Sequence, residues 1–275
     1  MDHASFILGC WRLGGAFFGA DNCDTQLAIL QAALDRGITA FDSAYFYGQG
    51  EADRRLSRVI SSYPRSDITL HSKAGLHWQG RNVVHDASPD QLKRTLINSL
   101  DILHCDYLDY FYLHWPDPHI PIQTSLYTLA AFQEEGLCRH IGLCNCTATQ
   151  LTQALSTQIP FVHQLRYNPL QLQNKPLLEM VNKSPGCSTV IISLFEQGLL
   201  LSDPNRHFGK KDWRRRNSLF GTPQLEQFQQ QLCQRFASSD DRAAYLINWL
   251  FDQAPHSQLC VGLSSSTQLK TFDLH

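Results

Sequence analysis

The chain has 275 residues, of which 43% are apolar, so it is long enough for either two ordinary domains or one large α/β barrel. Its formal net charge of −2 gives no electrostatic footprint for a nucleic acid. The first residues lack the basic segment of a signal peptide, and no run of about 18 apolar residues predicts a membrane span. Scattered cysteines without a CxxC pair predict reduced thiols in a cytosolic protein.

Eight short apolar segments alternate with longer amphipathic segments along the chain. The apolar segments predict strands: FILGC, ITAFDSA, ITLHSKA, DYLDYFYLH, HIGLCN, FVHQLRYN, TVIISLF and LCVGL. Between them, segments such as DTQLAILQAALDRG, SPDQLKRTLINSLDIL and TATQLTQALS predict helices, with Ser88 and Thr147 as N-caps and Gly37 as a stop. Repeated strand–helix units indicate a parallel sheet. Without any linker, they predict one (β/α)₈ TIM-barrel domain over residues 1–275.

An open, doubly wound sheet is the alternative arrangement. Its phosphate-binding fingerprint GxGxxG is absent, because GQGEAD lacks the third glycine, and GxxxxGK is absent too. The longest irregular segment runs from about Ser202 to Pro223 and contains the basic run KKDWRRR. That run is either a solvated loop or a phosphate-binding segment.

Polar residues stand at the C-terminal ends of six predicted strands, where the active site of a parallel barrel collects. In chain order they are Asp42, Lys73, His114, Asn145, Gln164 and Ser193. One such residue alone is ordinarily a hydrogen-bonded core group. A set of them at one level of a barrel favours a functional site.

Four side chains at this level fit acid catalysis at a carbonyl group. Tyr47 follows Asp42 within FDSAYFYGQG, and a free tyrosine, with a pKa of about 10, is a poor proton donor at neutral pH. A Lys73 ammonium beside the phenol would lower that pKa, and the Asp42 carboxylate would hold the lysine in place. His114 would donate a hydrogen bond to the same carbonyl oxygen. Because no side chain supplies hydride, a nicotinamide cofactor is implied.

Several ordered segments resemble motifs of the aldo-keto reductase family. FDSAYFYGQGEADRRLSRVI resembles the family's D-[TS]-A-x-x-Y-G segment, and DYLDYFYLHWPDP resembles the segment that ends in its catalytic histidine. GLCRHIGLCNCT resembles G-K-x-R-x-I-G-x-S-N, HQLRYNPL resembles Q-x-x-Y-N-P-L, and SLFEQGLL resembles S-P-L-x-x-G-x-L. The resemblance covers nearly the whole chain. It is to the long-loop branch, which includes bacterial aldo/keto oxidoreductases and the potassium-channel β subunits.

This resemblance implies NADP(H)-dependent interconversion of a small carbonyl compound, an aldehyde, ketone or sugar, and its alcohol. The family's catalytic tetrad corresponds to Asp42, Tyr47, Lys73 and His114, with Tyr47 as the general acid in reduction. Lys210 or Lys211, together with Arg216, would clamp the cofactor phosphates and favour NADP over NAD. The implied cofactor contacts are Trp11, Asp42, Cys144, Asn145, Gln164, Ile192, Ser193, Leu194, Lys210, Arg216, Ser264 and Gln268.

The sequence departs from the family pattern at the cofactor site. Ile192 replaces an aromatic ring that stacks on the nicotinamide, Cys144 replaces a serine, and Thr271 and Phe272 replace a Glu-Asn pair at the adenine. We expect weaker cofactor binding and an unaffected tetrad. The chain also ends at His275, so we expect a pocket without the family's C-terminal loop, open to bulky substrates. Its aromatic candidates are Trp11, Phe17, Phe18, Tyr45, Phe46 and Trp115.

Two other functions remain open at this point. One is a cofactor-binding regulatory protein with degenerate catalysis, which the departures favour and the intact tetrad opposes. The other is a metal-dependent hydrolase on the same barrel, for which His71 and His163 would have to lie inward. The chain has no HxH or HExxH motif, and Lys73 disfavours a cation nearby, so we expect no metal site.

Overall fold

Eight parallel strands close into a barrel in the computed structural model. The structure describes residues 6–15, 23–80, 82–210 and 212–272, and residues 271 and 272 are described by their backbone alone. The strands are β1 (Phe6–Gly9), β2 (Ala40–Asp42), β3 (Thr69–Ala74), β4 (Leu76–Gln79), β5 (Asn82–His85), β6 (Leu108–Leu113), β7 (Cys138–Cys144), β8 (Val162–Arg166), β9 (Ser188–Ile192) and β10 (Gln258–Val261). The barrel consists of β1 to β3 and β6 to β10, and β10 pairs with β1 to close it. Each predicted strand segment contains or overlaps one barrel strand, so the predicted barrel is confirmed.

Helices connect the barrel strands on the outside. In the described residues they are α1 (Cys23–Leu34), α2 (Glu51–Ile60), α3 (Pro89–Leu103), α4 (Ile122–Glu134), α5 (Ala148–Leu155), α6 (Lys175–Asn182), α7 (Pro223–Arg235) and α8 (Ser239–Gln253). Thr147 caps α5 as predicted, in a capping box with Gln150. Ser88 holds the N-cap position of α3, but its side chain makes no capping hydrogen bond. Within the described residues, no helix is both long and apolar enough to cross a membrane.

An antiparallel hairpin of β4 and β5 follows β3, and the sequence analysis did not predict it. Leu76 lies opposite His85, and Trp78 lies opposite Val83. Gly80, with φ of +64°, occupies the turn. The segment LHWQGRNVVH carries histidine, tryptophan and glutamine among its apolar residues, so its alternation is weak. The hairpin brings Leu76, Val83 and His85 to the rim of the main cavity.

The interior of the barrel contains polar and aromatic side chains as well as aliphatic ones. His71 on β3 and Tyr112 on β6 are buried there, and Gly142 on β7 makes room for the Tyr112 ring. A Cβ atom at Gly142 would lie 2.2 Å from a Tyr112 ring carbon. Because side chains alternate along a strand and Gln164 points inward to Asp42, His163 points outward. The inward position that a metal-dependent hydrolase would need of both histidines is therefore met by His71 and not by His163.

Candidate active site

Lys73 joins the two parts of the predicted acid group. Its ammonium nitrogen donates a hydrogen bond to the Asp42 carboxylate and another, of 3.0 Å, to the carbonyl oxygen of Ser43. The same nitrogen lies 5.3 Å from the centre of the Tyr47 ring. The ion pair is buried, with 2% of the Lys73 side chain and 6% of the Asp42 side chain exposed. The barrel register explains this proximity, because Asp42 ends β2 and Lys73 lies on the neighbouring β3.

Tyr47 lies in the turn after β2, packed between two other elements of the site. Its ring meets the His114 ring edge to face, with centres 5.6 Å apart. On another side it stacks on Trp11 at 6.1 Å. Gly14 allows this approach, since a Cβ atom there would lie 2.7 Å from the Tyr47 carbonyl carbon. The structure thus brings the predicted tetrad together on one wall of the cavity.

The pKa shifts in this group follow from burial and charge. Burial raises the pKa of Tyr47 above its ordinary value, and the Lys73 charge opposes this rise. Burial would lower the pKa of Lys73, but the Asp42 charge and Tyr47 outweigh it, so the net shift is upward. Burial, with the charge of Lys73 and the proximity of His85, holds the pKa of His114 well below its usual range. At neutral pH the site therefore contains a protonated phenol, a charged lysine and a neutral imidazole.

The two predicted carboxamides both contact the tetrad. Gln164 donates a 2.5 Å hydrogen bond to the second oxygen of Asp42, and its own oxygen accepts a bond of 3.4 Å from the Cys144 thiol. Asn145, with φ of +57°, donates to the His114 carbonyl oxygen at 2.9 Å. The cysteine at the predicted serine position therefore still holds Gln164, although a thiol is a weaker donor than a hydroxyl.

All nine cysteines are free thiols, and three of them surround the ion pair. Cys10, Cys144 and Cys260 are buried, and Cys144 and Cys260 line the cavity. Burial raises the pKa of each well above the ordinary value, and the Asp42 charge adds to the rise. These three thiols are therefore protonated at neutral pH.

The tetrad opens into a cavity of about 750 Å³. One part of the lining is mostly apolar and consists of Phe46, Leu76, Val83 and Trp115, with His85 against the Trp115 ring. Val83 and Trp115 are 41% and 43% exposed, so this part of the lining reaches the rim. The predicted pocket residue Tyr45 does not line the cavity, and Phe17 and Phe18 lie outside the described residues.

The loop after β9 begins at a buried carboxylate that the sequence analysis missed. Glu196 is fully buried and forms an ion pair with Arg166. It also accepts hydrogen bonds from Asn168 at 2.6 Å and from Asn217 at 2.8 Å, so it ties β8 and the far end of the loop together. A glutamate in SLFEQGLL reads as an exposed loop residue, and only the fold reveals its partners. Ser193 and Leu194, predicted to contact the cofactor, precede it and line the cavity.

Besides the Arg166 guanidinium, which pairs with Glu196, three further guanidinium groups line the cavity within the described residues. They belong to Arg12, Arg206 and Arg214, and Asp212 beside them accepts two side-chain hydrogen bonds from Arg214, at 2.8 and 2.6 Å. Burial lowers the pKa of Arg12, and the charges of Arg214 and Arg206 lower it further, whereas Asp212 raises it. The positive charges of these arginines repel one another across the cavity. An anionic group such as a diphosphate would relieve this repulsion by binding between them.

The predicted phosphate clamp lies elsewhere in the structure. Lys210 and Arg216 do not line the cavity, and the Arg216 guanidinium lies 4.5 Å from the centre of the Trp213 ring. Trp213 itself packs edge to face on Trp11 at 5.9 Å, so this loop reaches across to β1. Lys211 lies outside the described residues.

The remaining predicted contacts line the same cavity. Ile192 lies at the end of β9, in place of the family's aromatic ring. Gln268 accepts hydrogen bonds from the Ser264 backbone at 2.7 Å and from its hydroxyl at 3.1 Å. The side chains of Thr271 and Phe272 lie outside what the structure describes. Among the described residues, no three histidine, cysteine, aspartate or glutamate side chains form a group that would hold a metal ion.

The cavity fits a nicotinamide cofactor on the chemistry of its donors. Carboxamides and thiols lie beside the tetrad, guanidinium groups lie along the loop after β9, and uncharged hydroxyl and amide groups lie after β10. These would hold a nicotinamide ring, a diphosphate and a nucleoside respectively. The strands β7, β8, β9 and β10, which carry or precede most of these groups, are neighbours in that order around the barrel.

Comparisons with known proteins agree with this arrangement. A family model described as the aldo/keto reductase family matches residues 5–272. Aldo-keto reductase YhdN of Bacillus subtilis (strain 168) is 26% identical over 256 residues, which cover 90% of this chain and 77% of that protein. NADH-specific methylglyoxal reductase of Escherichia coli (strain K12) is 25% identical over 285 residues, which cover 96% of this chain and 86% of that protein.

Solved structures share the barrel. The glycerol dehydrogenase AKR11B4 from Gluconobacter oxydans superposes with a TM-score of 0.83 at 25% identity, over 98% of this chain and 85% of that one. An aldo/keto reductase from Klebsiella pneumoniae, solved with NADP and acetate, superposes with a TM-score of 0.69 at 21% identity, over 97% of this chain and 83% of that one. The chain therefore belongs to the aldo/keto reductase family of oxidoreductases, whose general chemistry is NAD(P)-dependent carbonyl reduction.

Proposed function

We propose that this protein interconverts an aldehyde or ketone and its alcohol with NADP(H), and that Tyr47 is the general acid in reduction. The observation that carries the proposal is the position of Lys73, which is bonded to Asp42, lies 5.3 Å from the centre of the Tyr47 ring and lines a cavity of about 750 Å³. A bound nicotinamide would supply the hydride.

The residues of this chain donate the proton and stabilise the negative charge that develops on the carbonyl oxygen. As the carbonyl carbon is reduced, its oxygen gains negative charge and takes the Tyr47 proton. Lys73 stabilises the phenolate that remains, because its charge already lowers the pKa of Tyr47 against the effect of burial. Neutral His114 is a hydrogen-bond donor for the same oxygen, and the deeply lowered pKa keeps it neutral.

The support for NADP over NAD is electrostatic. The loop after β9 contributes Arg206 and Arg214 to the cavity, and it also carries Lys210 and Arg216, the latter 4.5 Å from the ring centre of the cavity-lining Trp213. Such a loop would pair with a 2′-phosphate as well as with the diphosphate. NADH is the alternative, because Ser264 and Gln268 are uncharged, Asp240 also lines the cavity, and the E. coli relative is named NADH-specific.

The substrate end of the cavity favours a carbonyl compound with an apolar body. Phe46, Leu76, Val83 and Trp115 offer few hydrogen-bond partners, whereas a sugar would need several. A sugar substrate is therefore the less favoured reading of the same site. The protein remains an oxidoreductase in either case.

The first experiment is a titration of the purified protein with NADPH and with NADH, followed by quenching of tryptophan fluorescence, because Trp11 and Trp213 line the cavity. We expect tight NADPH and weaker NADH binding. A carbonyl screen then compares wild type with Tyr47→Phe, which should bind cofactor normally and lose turnover by about 10²-fold or more. Unchanged turnover in Tyr47→Phe would remove Tyr47 as the acid. Cofactor binding without carbonyl turnover would favour the cofactor-binding regulatory protein, and binding of neither cofactor would mean that the cofactor site is degenerate.

A further inference from the structure

A ladder of aromatic rings fills the barrel directly beneath the tetrad. His71 stacks on Tyr110 with ring centres 4.2 Å apart and lies 5.8 Å from Tyr112, with both pairs near parallel. Tyr110 stacks in turn on His140 at 4.8 Å. His71 and Tyr112 are 1% and 0% exposed, so their polar atoms are cut off from solvent. Buried polar atoms at this depth need a partner within the protein.

The Tyr112 hydroxyl and one ring nitrogen of His71 are partners, whereas the other nitrogen, Nε2, has no hydrogen-bond partner among the described residues. The Nδ1 atom of His71 lies 3.0 Å from the Tyr112 hydroxyl oxygen, at hydrogen-bonding distance. Tyr112 is also fixed sterically, because its ring lies over Gly142, where a Cβ atom would overlap it. Along β3 and β6, Lys73 lies directly opposite Tyr112, and His71 is two residues below Lys73 on the same face. The pair therefore forms the floor of the active site.

Gln164 connects the His71–Tyr112 pair with Asp42. Burial raises the pKa of Tyr112 well above its ordinary value, the Asp42 charge adds to the rise, and a hydrogen bond with the Gln164 side chain opposes it. Gln164 in turn donates at 2.5 Å to the Asp42 oxygen that Lys73 does not hold. Gln164 thus neighbours both Tyr112 and the Asp42 carboxylate, and its oxygen also accepts a 3.4 Å hydrogen bond from the Cys144 thiol.

We propose that His71 and Tyr112 are positioning residues for the reaction: the Tyr112 hydroxyl, held by His71, orients Gln164, which fixes the Asp42 carboxylate against Lys73. The inference rests on the proposed function, in which Lys73 tunes Tyr47. A hydrogen-bonded layer that locks the groups in contact with the reacting atoms raises turnover by keeping them in productive geometry. The pair would not contact cofactor or substrate itself.

The loss of one hydroxyl tests this proposal. Tyr112→Phe keeps the ring over Gly142, so the melting temperature should change little. We expect kcat to fall about tenfold, which corresponds to the loss of about 1.4 kcal/mol of transition-state stabilisation by a buried hydrogen bond. The KM for the carbonyl substrate should stay within about twofold of the wild-type value. Tyr110→Phe is the matched control, because Tyr110 belongs to the same stack while the His71 hydrogen bond goes to Tyr112. It should leave kcat within about twofold.

The pH dependence of kcat/KM distinguishes a positioning role of Tyr112 from a role in packing alone. A loosened Asp42 raises the pKa of Lys73 less, so the alkaline limb of kcat/KM should move to lower pH in Tyr112→Phe and not in Tyr110→Phe. The titratable groups that interact with Lys73 are Asp42, Tyr47, Cys144, Cys260, Cys10, Asp53, His71 and His114. His71→Phe keeps the stacked ring and removes Nδ1, and its effect should be non-additive with that of Tyr112→Phe. Equal losses in Tyr112→Phe and Tyr110→Phe, or a wild-type profile in both, would overturn the proposal.

A crystal structure of Tyr112→Phe supplies a readout that needs no turnover. We expect the Gln164 amide to leave the Asp42 carboxylate, and an unchanged 2.5 Å contact would overturn the proposal even if activity fell. Failure of the proposed function has a different signature, in which wild type shows no carbonyl turnover or Tyr47→Phe retains it. In that case the crystal structure still decides whether Tyr112 orients Gln164.

Discussion

The ammonium nitrogen of Lys73 lies 5.3 Å from the centre of the Tyr47 ring while it is bonded to the Asp42 carboxylate, so one buried cation serves two partners. Removing it should harm stability and activity by separate routes. Lys73→Met leaves the Asp42 carboxylate buried without its cation, and we expect a loss of about 3–5 kcal/mol in the free energy of unfolding. Urea denaturation measures this directly.

The matched variant is the double substitution Asp42→Asn with Lys73→Met, which removes both charges. We expect it to recover a large part of the stability lost in Lys73→Met, because no uncompensated charge remains. Turnover should stay low in both variants, since neither stabilises the Tyr47 phenolate. A double variant no more stable than the single one would show that the ion pair has another structural role.

The arginines near the cavity should divide into two classes by cofactor. Arg206 lines the cavity, so Arg206→Ala should weaken NADPH and NADH binding alike, by about tenfold, if it holds the shared diphosphate. Arg216→Ala should weaken NADPH far more than NADH, because a 2′-phosphate distinguishes the two. Fluorescence titrations of both variants with both cofactors measure this. Equal affinities before and after Arg216→Ala would mean that Arg216 serves only to pack on Trp213.

Gly142 should tolerate no side chain. In Gly142→Ala the added methyl group would meet the Tyr112 ring at 2.2 Å and the Val162 carbonyl oxygen at 2.6 Å, and both are enclosed by the barrel. We expect a loss of about 1–3 kcal/mol in the free energy of unfolding. Gly209→Ala is the control, since no atom lies within 4 Å of a Cβ atom there, and its stability should match wild type. A stable Gly142→Ala protein would place the Tyr112 ring elsewhere.

His163 should make the protein sensitive to acid. Burial lowers its pKa to about 4, so the folded state keeps it neutral while the unfolded state protonates it from about pH 6.5 downward. Its contribution to stability is therefore complete above pH 6.5 and is lost as the pH falls to about 4. His71, with its pKa also lowered to about 4 by burial, acts in the same direction.

Asp53 has the opposite effect on stability in the same pH range. Burial raises its pKa to about 6, so its contribution to stability falls as the pH rises from about 4 to 6.

A single variant isolates the contribution of His163. We expect His163→Leu to keep its stability at pH 7, since neither ring nitrogen of His163 has a hydrogen-bond partner among the described residues. Its stability should also fall less steeply between pH 6.5 and 4. An unchanged slope would mean that His163 titrates normally in the folded state.

The sequence predicted the barrel and the tetrad because both depend on local patterns. Period-two apolar segments mark strands, and polar residues at strand ends converge once a parallel barrel closes. The hairpin at residues 76–85 and the role of Glu196 depend on contacts between distant segments, so no local pattern contains them. For the same reason, the basic run did not indicate which of its loop's arginines line the cavity. Only the backbone path brings Arg206 and Arg214 there and leaves Arg216 on Trp213. The cytosolic location stays a prediction.

Cys144 and Cys260 line the cavity where an aldehyde would be reduced, and Cys10 lies close behind them. An ionised thiol at such a place would add to the carbonyl carbon and trap the compound as a thiohemiacetal. Because burial and the Asp42 charge raise the pKa of each thiol, they stay protonated and are poor nucleophiles. Burial, which outweighs the opposing charge of Lys73, thus keeps these thiols from adding to carbonyl compounds that enter the pocket.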